Sequence, residues 1–124
     1  MEQHKENVVR LHHMMDYAQK AINFTRGKSR SDLDADEMLA MATIHSIEII
    51  GEAIRSISEE LQTRHPEIPW NLISGTRNQL AHGYIDVDLD IIWTIVTKDL
   101  PPLVGKLEQI LEKEGWIDEK FHQP

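Results

Sequence analysis

The stretch Ser74-Gly75-Thr76-Arg77-Asn78-Gln79-Leu80-Ala81-His82-Gly83-Tyr84-Ile85-Asp86-Val87-Asp88 breaks the amphipathic patterning that runs through the rest of the chain. Leading into it, Trp70, Ile73, Leu80, Ala81 and Tyr84 fall at i, i+3, i+10, i+11 and i+14, one face of an α-helix. The same stripe calls for an apolar residue at i+7 and has Arg77 there. An unpaired buried charge is strongly unfavourable, so Arg77 either meets a counter-charge or faces a cleft. At about 100° per residue, Arg77 and Tyr84 lie within roughly 20° of each other, while Arg77 and His82 diverge by about 140° on a straight helix. Asn78 and His82, at i and i+4, share an adjacent face. Gly83 can close the helix in a left-handed cap, releasing His82 and Tyr84 from helical geometry. A guanidinium, an amide, an imidazole and a phenol then gather at one helix end. That set suits phosphate chemistry, because arginine offers a fork to phosphate oxygens and histidine titrates near neutrality.

Upstream, the spacing predicts a first helix over about Glu6–Phe24, with the stripe Val8, Leu11, Met15, Ala18 and Ile22. His12, His13 and Asp16 have a metal-ligand look but lack a fourth ligand, and no metal site is assigned. Thr25 to Ser31 reads as a basic loop containing Gly27, a solvated connection that is also able to contact phosphates at the edge of a cleft. The second helix is expected to start at an Asp34 cap, with Glu37 at N3 and Leu33 and Met38 as a staple. Its apolar positions continue as far as Leu61. Gly51 in its interior points to a close neighbouring helix. His45, Glu48, Glu52 and Arg55 line a second face, where a counter-charge for Arg77 is expected.

His65-Pro66-Glu67-Ile68-Pro69 breaks the chain, and Pro69 suits the first turn of a third helix reaching Gly83. Asp86 or Asp88 is placed to cap a fourth helix. Its stripe runs from Ile91 to Leu111, with Pro101 and Pro102 expected to kink or restart it near Leu100. The tail after Glu114 lacks periodicity.

With 124 residues the chain has room for one domain, residues 1–124, with a modest core. It has no cysteine, a polar amino terminus and no apolar run near the length of a membrane span, which together lead us to expect a cytoplasmic location and no membrane partner. A net charge of −8 argues against broad nonspecific nucleic-acid binding and leaves room for a small cationic cleft.

Arg77-Asn78-Gln79-Leu80-Ala81-His82-Gly83-Tyr84 resembles the signature of the HEPN-domain ribonucleases, and the tyrosine two residues after the histidine resembles their HepT-like toxin branch. Three further segments match that branch in order. They are Ile47-Glu48-Ile49-Ile50-Gly51-Glu52-Ala53, His65-Pro66-Glu67-Ile68-Pro69-Trp70, and Asp90-Ile91-Ile92-Trp93 followed by Asp99-Leu100-Pro101. The likeness runs from about residue 8 to about residue 112. It implies an all-α, mostly antiparallel bundle of four main helices and a homodimer in which two motif copies face each other. A two-fold axis also lets an Arg77 and a His82 that diverge within one helix converge across the interface.

The resemblance further implies a toxin that cleaves RNA without metal or cofactor. His82 is expected as general acid or base, Arg77 as stabiliser of the phosphoryl charge, Asn78 as an orienting group and Glu52 as the support for Arg77. A partner nucleotidyltransferase antitoxin is implied to silence it by adding AMP to Tyr84. Taken singly, each residue also has a structural role open to it: Arg77 as ion-pair partner of Glu48 or Glu52, His82 at a helix end, Tyr84 in the core. The other reading carried forward is a catalytically silent helical module that docks the nucleotidyltransferase.

Overall fold

Val8, Leu11, Met14, Ala18 and Ala21 recur every three or four residues and are all but completely buried, forming the inner face of α1 (Glu2–Thr25). The computed structural model describes residues 2–71 and 87–115. Beyond α1 it contains α2 (Arg30–Ala35), α3 (Glu37–Arg55), α4 (Glu59–Arg64) and α5 (Leu89–Thr94). A π-helical turn (Ile95–Asp99) then leads directly into α6 (Leu100–Glu114). The protein is all-α, and no strand occurs among the described residues. Trp70 and Asn71 are helical, and the rest of the expected third helix lies outside the described residues.

α1 is the central element, packed on α3 along one side and on α6 along the other. Side-chain pairs give the directions. Asn7 meets Ser58 just past the end of α3, and Tyr17 meets His45 within it, so α1 and α3 are antiparallel. His4 meets Glu114, which makes α1 antiparallel to α6 as well. Being covered on two sides widens the buried arc of α1. Met14 and Ala21 are fully enclosed, while the expected Met15 and Ile22 lie half-buried beside them. Among the described residues, no helix is long and apolar enough to cross a membrane.

The second helix departs from expectation at both ends. Its cap is Asp36, whose carboxylate accepts from the Leu39 amide at 3.1 Å, and not Asp34. Leu33 is the reason. It is buried at 1% exposure, and the short helix α2 turns it inward ahead of α3. Met38 is 79% exposed and staples nothing.

At the far end α3 stops at Arg55, and Ser58 caps a new helix by accepting from Leu61 N at 3.3 Å. Asn7 of α1 fixes this break, since its Nδ2 donates to Ser58 Oγ and its Oδ1 accepts from Ser58 N, both at 3.0 Å. Gln62 closes the joint by donating to the carbonyls of Ile54 and Ile57. Ile54, Ile57 and Leu61 stay buried across the break, which is why the apolar spacing runs through it undisturbed.

The expected disturbance at the proline pair takes the form of the π turn. Pro101 and Pro102 carry no amide hydrogen, so two i→i−4 bonds are missing where α6 begins, and the backbone widens just before them. Leu100, Leu103, Leu107, Ile110 and Leu111 then bury the whole inner stripe of α6.

Candidate active site and its frame

The motif residues Arg77, Asn78, His82 and Tyr84 lie outside the described residues. The frame on either side of them is well defined. On the near side, Trp70 is buried at 7% exposure, and its indole nitrogen donates to the carbonyls of His65 at 3.0 Å and Gln62 at 3.2 Å. A buried indole N–H left unpaired would be costly, so these two bonds fix where the helical residues Trp70 and Asn71 begin.

On the far side, Asp88 caps α5 by accepting from the Asp90 amide at 2.9 Å, and Val87 and Leu89 pack on the core. The choice between Asp86 and Asp88 is thus decided for the α5 cap. Asp90 in turn accepts from Arg30 Nε at 2.7 Å, and Arg30 Nη1 donates to Asp34 at 3.0 Å. The basic turn after α1 is therefore tied to the point where the chain returns from the motif.

The polar face expected on α3 is present. His45, Glu52 and Arg55 are exposed and Glu48 is half-buried, one helical stripe open to a neighbouring segment. His45 stands edge-on to the Tyr17 ring, with centroids 6.4 Å apart. Glu52, the expected support for Arg77, sits on this solvent-facing stripe, not in the core. His12, by contrast, is buried while Asp16 points to solvent, and no group of three potential ligands gathers among the described residues.

One polar centre was not anticipated. His65, read from sequence as part of a helix break and of a family-matching segment, is 5% exposed and hydrogen-bonds through Nε2 to Glu114 Oε2 at 2.6 Å. Arg64 Nη2 donates to the other carboxylate oxygen at 2.9 Å, and His4 Nε2 reaches the Glu114 carbonyl at 2.9 Å. A carboxylate only accepts, so His65 Nε2 carries the proton. Burial pushes the Glu114 carboxyl up, but hydrogen bonds from His65 and Arg64 and the charge of Arg64 outweigh it, holding the group below the ordinary glutamate range. The cluster latches the end of α6 to α4 and to the start of α1. His65 and Glu114 stand 49 residues apart, and no local spacing announces their pairing.

The model of the family described as "Ribonuclease HepT-like" matches residues 14–110, a span containing Arg77, Asn78, His82 and Tyr84. A Caldanaerobacter subterraneus protein named "Putative RNase TTE0752" is 36% identical over 104 residues, 84% of this chain and 93% of its own length. The Thermococcus cleftensis protein named "Probable ribonuclease HepT" is 39% identical over 87 residues, 70% of this chain and 79% of its own. A Methanocaldococcus jannaschii protein, "Putative RNase MJ1380", is 33% identical over 98 residues, 79% of this chain and 90% of its own. No solved structure matches the chain.

Proposed function

The chain belongs to the HepT-like ribonuclease family, and from that premise we propose that it is a metal-independent endoribonuclease, the toxin of a toxin–antitoxin pair. The observation that carries this reading is the spaced set Arg77, Asn78, His82 and Tyr84, lying within the family match and interrupting an apolar stripe with a guanidinium.

In the proposed reaction the ribose 2′-oxygen attacks the adjacent phosphorus and the bond from phosphorus to the 5′-oxygen breaks. His82 takes the 2′-hydroxyl proton or returns one to the departing 5′-oxygen. Arg77 stabilises the charge that builds on the phosphoryl oxygens. Asn78 orients the imidazole or the phosphate, and Glu52 supports the guanidinium. The products are a 2′,3′-cyclic phosphate and a free 5′-hydroxyl. A homodimer brings Arg77 of one protomer to His82 of its partner, which supplies the convergence that a straight helix denies.

Regulation in this reading comes from a nucleotidyltransferase antitoxin that adds AMP to Tyr84. The attached phosphate lies on the same stripe as Arg77 and competes with substrate at an effective concentration in about the millimolar range. Its negative charge also repels incoming RNA.

The test is incubation of total RNA with the protein in EDTA, beside Arg77→Ala and His82→Ala. Cleavage leaving cyclic phosphate ends, lost in both variants, is the expected result. Cleavage that requires added metal or survives both substitutions overturns the mechanism. Co-expression with the antitoxin should add an AMP-sized mass to the peptide holding Tyr84, and Tyr84→Phe should escape modification.

The second reading, a silent module that docks the nucleotidyltransferase, is favoured by the net charge of −8, which weakens RNA binding. Growth arrest on expression without the antitoxin separates the two, since only the nuclease arrests its host.

A further inference from the structure

Residues 17–31 contain no acidic side chain and hold Lys20, Arg26, Lys28 and Arg30, in a chain whose net charge is −8. Four of the 13 lysines and arginines therefore stand close together in the sequence. Lys20 and Phe24 are exposed on α1, and the half-buried Tyr17, which packs against the core, lies within about 60° of both around the helix. Lys20 Nζ sits 4.3 Å from the centre of the Tyr17 ring, and Phe24 is 39% exposed at the end of the helix. Arg26 and Lys28 are exposed in the turn that follows, on either side of Gly27.

The turn is held from below. Thr25 is buried and its hydroxyl donates to the Ala21 carbonyl at 3.0 Å, while Lys28 N donates to Thr25 O at 3.0 Å. Gly27 has φ of 76°, the left-handed region that lets the chain reverse there. Arg30 is occupied by Asp90 and Asp34, so it anchors the turn. Two carboxylates flank the stretch at equal separation, exposed Asp16 four residues before Lys20 and Asp32 four residues after Lys28, and Asp32 accepts from Ser29 N at 2.7 Å and Ser29 Oγ at 3.1 Å.

We propose that this face, Tyr17, Lys20 and Phe24 with Arg26 and Lys28, is a docking surface for single-stranded RNA beside the nuclease centre. The chemistry fits that ligand on two counts. Three cations on a short track answer successive backbone phosphates, and an exposed aromatic ring offers a base a stacking partner without demanding a sequence. Through Arg30 and Asp90 the track adjoins the strand of chain that returns from the motif. The eight residues from His82 to Asp90 span at most about 29 Å when fully extended, which is within the reach of a short oligonucleotide. The inference rests on the ribonuclease reading for its purpose, and its test is built to stand apart from it.

The probe is a fluorescein-labelled 2′-O-methyl oligouridylate, which lacks the attacking hydroxyl and stays intact. Its anisotropy is followed against salt for the wild type, for K20A/R26A/K28A, for Phe24→Ala, and for K5A/K98A/K113A as an equal change of charge elsewhere. Each lost phosphate contact on a single strand lowers the salt slope by about 0.7 and weakens binding about 4-fold at 0.15 M salt. K20A/R26A/K28A is therefore expected to lose about 2 from the slope and on the order of 50-fold in affinity. Phe24→Ala is expected to lose about 5-fold or more.

Equal weakening by K5A/K98A/K113A would assign the effect to net charge and overturn the proposal. So would an unchanged Kd in K20A/R26A/K28A, or a change in sedimentation of that variant without a change in RNA affinity, which would mark the face as a protein contact. A wild-type protein that binds the probe on this face and cleaves no RNA would remove the nuclease reading and leave the docking surface standing.

Discussion

Replacing Asn7 with alanine tests how the frame around the motif is held. Asn7 is 3% exposed on α1, and its amide spans the gap to Ser58, donating to Oγ and accepting from the backbone N–H at 3.0 Å each. Gln3 adds a third bond to Asn7 Oδ1 at 3.0 Å, but Gln3 is exposed and turns to water when Asn7 is cut away. The two bonds to Ser58 are each worth about 1 kcal/mol net, and leaving the Ser58 amide unpaired in a half-buried joint adds about 1 kcal/mol more. A loss of about 2–4 kcal/mol follows, a large share of the stability of a domain this size. With a urea slope near about 2 kcal/mol per molar, the unfolding midpoint should fall by about 1–2 M. Asn7→Asp keeps the acceptor, and the serine hydroxyl can rotate to donate to it, so this variant should lose clearly less. A midpoint for Asn7→Ala within about 0.3 M of the wild type would refute the reasoning, because it would mean the break after α3 stands without its clamp.

Glu114→Gln should destabilise by about 1–3 kcal/mol at neutral pH, since it leaves the buried His65 and the more exposed Arg64 beside a weaker acceptor. The sign with pH follows from the lowered Glu114 pKa. The stabilisation is complete above the ordinary glutamate range near about 4.3 and is lost as pH falls through the lower folded-state value, so thermal unfolding of the wild type and Glu114→Gln should converge in acid. A constant gap from neutral pH down to strong acid would contradict it. Gly27→Ala meets no neighbouring atom yet forces a side chain into a left-handed backbone, and should lower stability by about 1 kcal/mol in the same urea assay. A stabilised Gly27→Ala would show that the turn adopts another conformation in solution.

What could be read from the sequence divides along a physical line. The inner stripes of α3 and α6 were legible because apolar residues at helical spacing have one place to go, and positions such as Ile44, Ile50, Leu103 and Leu107 are buried as expected. The restart at Pro101 and Pro102 was legible because a missing amide hydrogen acts locally. The start of α3 was not. Asp34 and Asp36 are equally good caps in isolation, and the burial of Leu33 chooses between them. The break at Ser58 was hidden for a related reason, since Asn7 reaches it from 51 residues away. The pairing of His65 with Glu114 is hidden in the same way. At the site, Trp70 was readable as one end of the frame and the other was narrowed to Asp86 or Asp88, while the choice of Asp88 and the tie from Arg30 to Asp90 needed the fold.

We propose above that Arg77 of one protomer and His82 of its partner form one catalytic site. Mixing purified Arg77→Ala with His82→Ala, after conditions that let subunits exchange, tests it most directly. A heterodimer of the two variants holds one site with both residues intact and one with neither. Random exchange makes about half the dimers mixed, so RNA cleavage in EDTA should rise from the background of either variant alone to about a quarter of the wild-type rate. Cleavage that stays at background after exchange, with mixed dimers present, would contradict a site shared across the interface.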